Sequence, residues 1–548
     1  MNKITLVFLI VCTQTIFGYA KITETEKLAA TCKVWGFLKY YHPKIGSGQV
    51  NWDSQLLEKL PLIEKAQTKE EFSLILENWI NDLGEVKMVA PIVIPKEVEF
   101  FDKNFDLTWF NNKLFSKKLS KKLKFIENNR FQSNEEFEQN FDALKSVKNY
   151  FDLDYNNKGS RVLMLFAYWN LIEYYFPYKY VMDQKWDLSL EQIVPAVTEA
   201  KNPQDFYIAI KKLASKLNDS HVETPIYGDV FGGKRFNYFP ATGKIIDEKL
   251  VVTQILGDSL AEADNIKIGD VITKINDKTI KELILENRDL ICASNEVTYL
   301  DKVTLPILKN YDENVKVEFL KDGKYETKSM IWSNYHDSHR NEFKKGAIKK
   351  KEKFKLLDGN IGYVDMGVIK QRHIPDMIAA LKSTQGIIFD MRNYPNDTWK
   401  EISDFLNPQE KAFCMYTMPY PNYPGRYAWT EEKKCGYENK DNYKGKVIVL
   451  LNEESLSQAE WTAMSFQTAG NTTIIGSQTA GADGNAMDLD FKGFHTRYTG
   501  IGVYYPDRRE TQRIGIVPDI EVKPTIKGIQ QGKDEVLDRA LLFVKTGK

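Results

Sequence analysis

The chain has 548 residues, 43% of them hydrophobic and 27% charged, which is enough apolar material for three or four domains and excludes a disordered chain. Lysine plus arginine equals aspartate plus glutamate at 75 each, so there is no excess charge to hold nucleic acid or an anionic membrane surface. Residues Met1 to Ala20 read as a secretory signal: Lys3, an apolar run from Ile4 to Cys12, then Gly18-Tyr19-Ala20 at cleavage-type positions. The mature protein is expected to start near Lys21 and work in the periplasm or outside the cell. Cys12 offers a lipoprotein alternative, but bulky Val11 precedes it where a small residue is expected. No later stretch approaches the ~20 apolar residues of a membrane span.

Four cysteines remain beyond the signal. Cys32 and Cys292 lie in apolar, helix-like contexts and read as buried thiols, whereas Cys414 and Cys435 flank a Pro/Tyr-rich loop and could bridge in an oxidising compartment; spacing leaves that open. None has metal-ligand spacing and the six histidines are scattered, so neither a metal nor a cofactor is inferred.

From residue 21 to about 230 the chain is predicted helical and carries an internal duplication, about 30–87 and 164–221. Trp35, Tyr40, Tyr41 and Pro43 recur as Trp169, Tyr174, Tyr175 and Pro177, and Trp52-Asp53 recurs as Trp186-Asp187, every pair 134 positions apart. Apolar residues at helical spacing, as in Val34, Phe37, Leu38 and Tyr41, read as core faces. The lysine-rich stretch from Phe100 to Asn157 between the copies reads as a solvated helical connector. The copies differ at their ends: Lys87 closes the first and His221 the second, in Asp219-Ser220-His221. An imidazole found in one copy only is not needed for the shared packing, which makes His221 a candidate base.

Residues 236 to 335 shift to strand-like pieces. Ile266-Lys267-Ile268-Gly269-Asp270-Val271-Ile272-Thr273-Lys274-Ile275-Asn276 resembles the I-x-x-G-D-x-I-x-x-I-N signature of PDZ domains, which add an extended peptide to a sheet edge, often holding its terminal carboxylate. His336 and His339 follow in a polar, lysine-rich linker and read as solvated.

From about 345 to 526 strand and helix patterns alternate, predicting an α/β domain with a C-terminal helix over 527–548. The apolar run Val447 to Leu451 predicts a strand, Ser455 with Gln458 fits a capping box, and a helix follows, with a further strand over Thr472 to Gly476. Ser457 then falls in the first helical turn, among unpaired N–H groups. Both serines also suit plain helix starts.

N-E-x-S-L-S-Q-A-E followed by G-S-Q-T-A-G-A resembles the nucleophile segment of the C-terminal-processing and tricorn-like serine peptidases, the PDZ-containing tail-specific protease superfamily. By that resemblance Ser457 is the nucleophile and the α/β domain has the ClpP/crotonase-like peptidase fold, making the whole chain multidomain α+β. Asp390-Met391-Arg392-Asn393-Tyr394-Pro395-Asn396 resembles the family's D-x-R-x-N-x-G-G loop with Asn396-Asp397 in place of Gly-Gly, so the implied oxyanion donors are the Gln458 and Asn396 amides. The lysine base of the processing branch is replaced by Ala482, whereas Asp-Ser-His before the PDZ-like region resembles the tricorn-like branch and implies His221 as base. The closing Gly515-Ile516-Val517-Pro518-Asp519 resembles the family's G-I-x-P-D segment, and Glu510 before it is the expected acid, with Gln512 as a neutral alternative. The implied activity is serine peptidase action on peptides or unfolded proteins, with capture through their C-termini. The rival expectation is a secreted peptide-binding scaffold on a peptidase fold.

Overall fold

The computed structural model describes residues 21–132, 153–224, 236–256, 261, 264–334, 352–492 and 494–548. The signal-peptide expectation over Met1 to Ala20, and His336 and His339, lie outside these residues. The chain divides into two compact units, one of residues 21–91 with Asp106–Phe131, the other of Ile92–Phe105 with the described residues beyond 132.

The first unit is helical: Glu24–Tyr41, Trp52–Lys65, Lys69–Asp82 and Lys117–Asn128. Thr23 with Glu26 and Thr68 with Glu71 form reciprocal capping boxes at two helix starts. Its core is aromatic, with Trp52 stacked on Trp79 at 4.6 Å between ring centroids. Trp35 and Trp52 exchange bonds, each indole N–H donating to the other's carbonyl, at 3.5 and 3.0 Å.

The stretch expected as the second copy forms helices Lys158–Tyr175, Trp186–Thr198 and Pro203–Ser215 in the other compact unit. There Trp169 and Trp186 exchange the same pair of bonds at 3.2 and 3.1 Å. A buried indole N–H needs an acceptor, and each pair supplies one from a residue inside one helix and one from the first residue of a later one. The stretch expected as a solvated connector is partly structural: Phe100–Phe101 is a strand paired antiparallel with Tyr427 and Ala428.

The PDZ-like region forms a six-stranded sheet whose buried face, with Leu250, Val252, Ile272, Val317 and Phe319, is covered by helices Ile280–Glu286 and Glu296–Lys302. The α/β region is organised on another six-stranded sheet in the order Phe354–Leu357, Ile361–Asp365, Gly386–Asp390, Lys446–Leu451, Thr472–Gly476, Ile520–Glu521. Its first pair is antiparallel and the rest parallel. Parallel strands must be buried on both faces, and here they are. Helices Ile374–Leu381, Trp399–Leu406 and Gln458–Gln467 pack on one side, and Val536, Ala540 and Val544 of helix Glu535–Thr546 on the other. The C-terminal helix is thus part of the core of this sheet.

Cys414 and Cys435 are both free thiols. Strand pairing sets Cys435 opposite Lys411 and Cys414 opposite Lys433, so the two are out of register, and the Cys435 thiol packs against Thr468 at 3.3 Å. Cys32 and Cys292 are buried.

Candidate active site

The buried strand Lys446–Leu451 ends at the turn that presents Ser457, and the helix Gln458–Gln467 starts immediately after it. The capping residue is Ser457 and not Ser455: Glu460, three residues on, accepts the Ser457 N–H at 3.1 Å. Ser455 is buried instead, its hydroxyl donating to the Met391 carbonyl at 2.8 Å and so tying this turn to the Asp390–Asn396 loop. Ser457 has φ +58° and ψ −113°, a conformation that a residue with a Cβ adopts only when its surroundings impose it. The strand–turn–helix corner that lifts a nucleophilic serine out of its sheet has this strained character.

Glu460 imposes it. Its buried carboxylate accepts from Thr479 Oγ1 and from the amides of Gly481 at 2.7 Å, Ala482 at 3.1 Å and Ser457. Burial pushes its pKa up to about 7 against the pull of those four donors. Asp483 is buried as well, with Thr511 Oγ1 donating to it at 2.9 Å, and burial together with the nearby Glu460 charge raises it well above the ordinary carboxylate range.

The segment Ala480–Ala482 is gripped from two sides. The Ser457 N–H also donates to the Ala482 carbonyl at 3.1 Å, while the Ser220 hydroxyl donates to the Ala480 carbonyl at 2.7 Å. The serine turn and the Asp219-Ser220-His221 triplet therefore hold carbonyls two residues apart, at most about 7 Å of chain. The triplet is pinned from behind: Ser220 and Ser294 exchange N–H to hydroxyl bonds at 2.8 and 2.9 Å, and Lys302 Nζ donates to the carbonyls of Ser220 at 2.6 Å, Cys292 at 3.1 Å and Val222 at 3.4 Å.

His221 is buried, with Nδ1 2.8 Å from Thr499 Oγ1 and 3.9 Å from Asp219 Oδ1. Burial lowers its pKa, opposed by Asp219 and assisted by Lys302 and Arg497, so the imidazole is neutral at neutral pH, the form a general base requires. Asp219 is fully buried and its carboxylate only accepts: Oδ1 from the His221 N–H, Thr499 Oγ1 and Gln512 Nε2 at 3.1, 2.9 and 3.4 Å, Oδ2 from the Thr499 N–H at 2.8 Å.

Two residues expected at this centre have other partners. Glu510 pairs with Lys103 Nζ at 2.9 Å and accepts from the Tyr180 hydroxyl, so the acid facing His221 is Asp219. Lys103 belongs to the stretch expected to be a solvated connector, which is why this partner was not legible. Gln512, the neutral alternative, does reach the cluster through Asp219. The Asn396 amide donates to the Met366 carbonyl at 3.1 Å and its side chain to the Gly367 and Ile369 carbonyls at 3.0 and 2.8 Å, so Asn396 braces its loop and its N–H is not available as an oxyanion donor. The Gln458 amide, at the first helical position, has no acceptor within its helix, and its side chain meets Asp397 of the same loop at 3.5 Å. Arg392 locks that loop, bonding Asp390 at 3.0 and 2.6 Å and Asp534 at 2.8 Å through both terminal nitrogens.

Asp301, Glu453 and Glu454 bring three carboxylates together. Lys244 pairs with both glutamates.

Residues 360–522 match the model of peptidase family S41, and residues 232–307 match that of the PDZ domain. A probable CtpA-like serine protease of Staphylococcus haemolyticus is 24% identical over 341 residues, 61% of this chain and 60% of that protein. The chain thus spans about 60% of the length of the curated relative it matches. Among solved structures, mature CPAF complexed with lactacystin and mature CPAF itself share the fold, each with TM-score 0.56 and 12% identity over 71% of this chain and 99% and 98% of theirs. No helix among the described residues is long and apolar enough to cross a membrane.

Proposed function

We propose, from the match of residues 360–522 to peptidase family S41 and of residues 232–307 to a PDZ domain, that the chain is a tail-specific serine peptidase, a secreted or periplasmic endopeptidase in which Ser457 is the nucleophile and His221 the base. The observation that carries this reading is the Ala480–Ala482 segment, whose carbonyls receive the serine turn at one end and the histidine triplet at the other. His221 Nε2 takes the hydroxyl proton of Ser457 as Oγ attacks the peptide carbonyl, and the protonated imidazole then returns that proton to the leaving amine. Asp219 is the acid that stabilises the imidazolium. The Gln458 N–H supplies one oxyanion donor and another amide of the 393–397 loop the second. Water clears the acyl group by the same steps in reverse order. The substrates are peptides or unfolded proteins, with C-terminal capture at the PDZ domain.

The test compares the purified protein with Ser457→Ala on unfolded protein and short peptides, alongside labelling by a serine-directed phosphonate. Cleavage and labelling that vanish in Ser457→Ala are expected, and His221→Ala is expected to lose turnover with its fold intact. Cleavage that survives Ser457→Ala overturns the assignment. A second reading, a peptide-binding scaffold, is favoured by the commitment of the Asn396 amide to Met366, which removes one oxyanion donor. Peptide binding without serine-dependent cleavage or labelling would select it.

A further inference from the structure

The Asp219 carboxylate and the His221 imidazole are too far apart for a direct bond, at 3.9 Å from Oδ1 to Nδ1, yet one hydroxyl touches both. Thr499 Oγ1 lies 2.8 Å from His221 Nδ1 and 2.9 Å from Asp219 Oδ1. We propose that Thr499 is the positioning residue of the catalytic histidine, a hydroxyl bridge through which Asp219 acts on the imidazole; this rests on the peptidase reading above.

Proton counting fixes the direction of these two bonds. A threonine hydroxyl has one proton and two acceptor lone pairs, and an ionised carboxylate has none to give. Every other hydrogen-bond partner of the Asp219 carboxylate is a donor: two backbone N–H groups and the Gln512 amide. The Thr499 proton therefore points to Asp219, and Thr499 Oγ1 is left to accept from His221. That places the imidazole proton on Nδ1 and leaves the Nε2 lone pair free for Ser457. When Ser457 attacks, its proton moves to Nε2 and the Nδ1 proton stays where it is. The bridge transfers nothing and stabilises the imidazolium through an aligned hydroxyl dipole backed by a carboxylate.

Thr499 is also placed to do this without freedom to turn. It ends the hairpin strand Phe494–Thr499, is fully buried, and its own N–H is bonded to the other oxygen of Asp219 at 2.8 Å. Backbone and side chain thus hold the two carboxylate oxygens together, which fixes the carboxylate plane and the hydroxyl direction at once. A β-branched residue has few χ1 choices in a strand, so the hydroxyl is held where the bridge requires it.

The test uses the full chain and the peptide or protein substrate cleaved by the wild type. Thr499→Val keeps shape and backbone bond but removes the hydroxyl, Thr499→Ser restores it without the methyl, and Thr499→Ala covers the case in which valine does not fold. Valine and alanine are expected to lower kcat by up to about ten-thousand-fold, the loss that follows when a triad histidine loses its orienting acid. KM should change little, and serine should recover most of the rate. Hydroxyl-free variants within a few-fold of the wild type overturn the bridge, as does a serine variant no better than alanine or a loss confined to KM. An inert wild type ends the peptidase reading and the bridge with it, whereas an active, Ser457-dependent wild type with an undamaged valine variant removes the bridge alone.

Discussion

Glu460 Oε2 accepts the backbone N–H of Ser457, whose φ of +58° a residue with a Cβ rarely adopts. The same carboxylate holds the Gly481 and Ala482 amides, so one buried side chain fixes both the candidate nucleophile and the segment to which the His221 triplet is tied. Glu460→Gln keeps the volume but offers one acceptor oxygen and turns an NH2 group toward N–H donors. The orphaned amides are expected to cost about 1–3 kcal/mol of stability, read by urea unfolding. Activity should fall further than stability, by about a hundredfold, because the reacting atoms are misplaced. A glutamine variant with wild-type kcat would show that the serine turn holds its shape unaided.

The raised pKa of Glu460 gives stability and activity opposite pH dependences. With its carboxyl pushed from 4.5 to about 7, the folded protein binds more protons than the unfolded chain between those values. The contribution of this group to stability is therefore greatest below the lower value and is lost as pH rises through the window. Asp483 beside it, also raised, titrates with it as a pair. Turnover should run the other way, since only the ionised form accepts all four donors, rising as pH passes about 7. Urea midpoints and kcat measured on either side of the window check both signs, and Glu460→Gln should flatten both.

Lys302 reaches from the PDZ-region helix Glu296–Lys302 to the carbonyls on either side of His221. The side chain is half-buried, and desolvation lowers its pKa. Lys302→Met preserves the stem and removes the three donated bonds, leaving buried carbonyls unsatisfied at about 1–3 kcal/mol. The expected result is a modest fall in thermal midpoint with a larger fall in kcat, measured on the same preparation. Equal losses at all substrate concentrations relative to a remote destabilised variant would reduce Lys302 to a packing role.

The strands of the α/β sheet and the helix after Ser457 were legible because buried parallel strands are short apolar runs and amphipathic helices repeat every three or four residues. Two indoles recur at one offset of 134 positions, and each pair, Trp35 with Trp52 and Trp169 with Trp186, makes the same reciprocal bonds. The cap was misplaced by two residues because Ser455 with Gln458 and Ser457 with Glu460 fit the same spacing; burial of Ser455 against Met391 decides between them. Asp219 stood two residues before His221 in plain view, but its carboxylate acts through a hydroxyl 278 positions beyond the histidine, which no local pattern announces. Glu510 had the expected spacing from the closing segment, and the partners that hold it, Lys103 and Tyr180, come from regions that carried no such motif.

Gly515, in the closing segment, makes a separate test of the grip of Glu460. Its φ is +65°, and a Cβ there would come 2.3 Å from Thr479 Oγ1 and 2.9 Å from Glu460 Oε1. An alanine methyl would sit between the carboxylate and the segment it holds. Gly532 has nearly the same φ, +66°, with nothing within 4 Å of the added methyl, so it isolates the backbone cost. Gly532→Ala is expected to lose about 1–2 kcal/mol and keep its activity. Gly515→Ala should lose that and about 1–3 kcal/mol more from overpacking, with kcat falling as Glu460 is pushed off its donors. Equal stability losses in the two variants, with activity intact in both, would mean that the carboxylate can shift without consequence and that Ser457 keeps its geometry by other means.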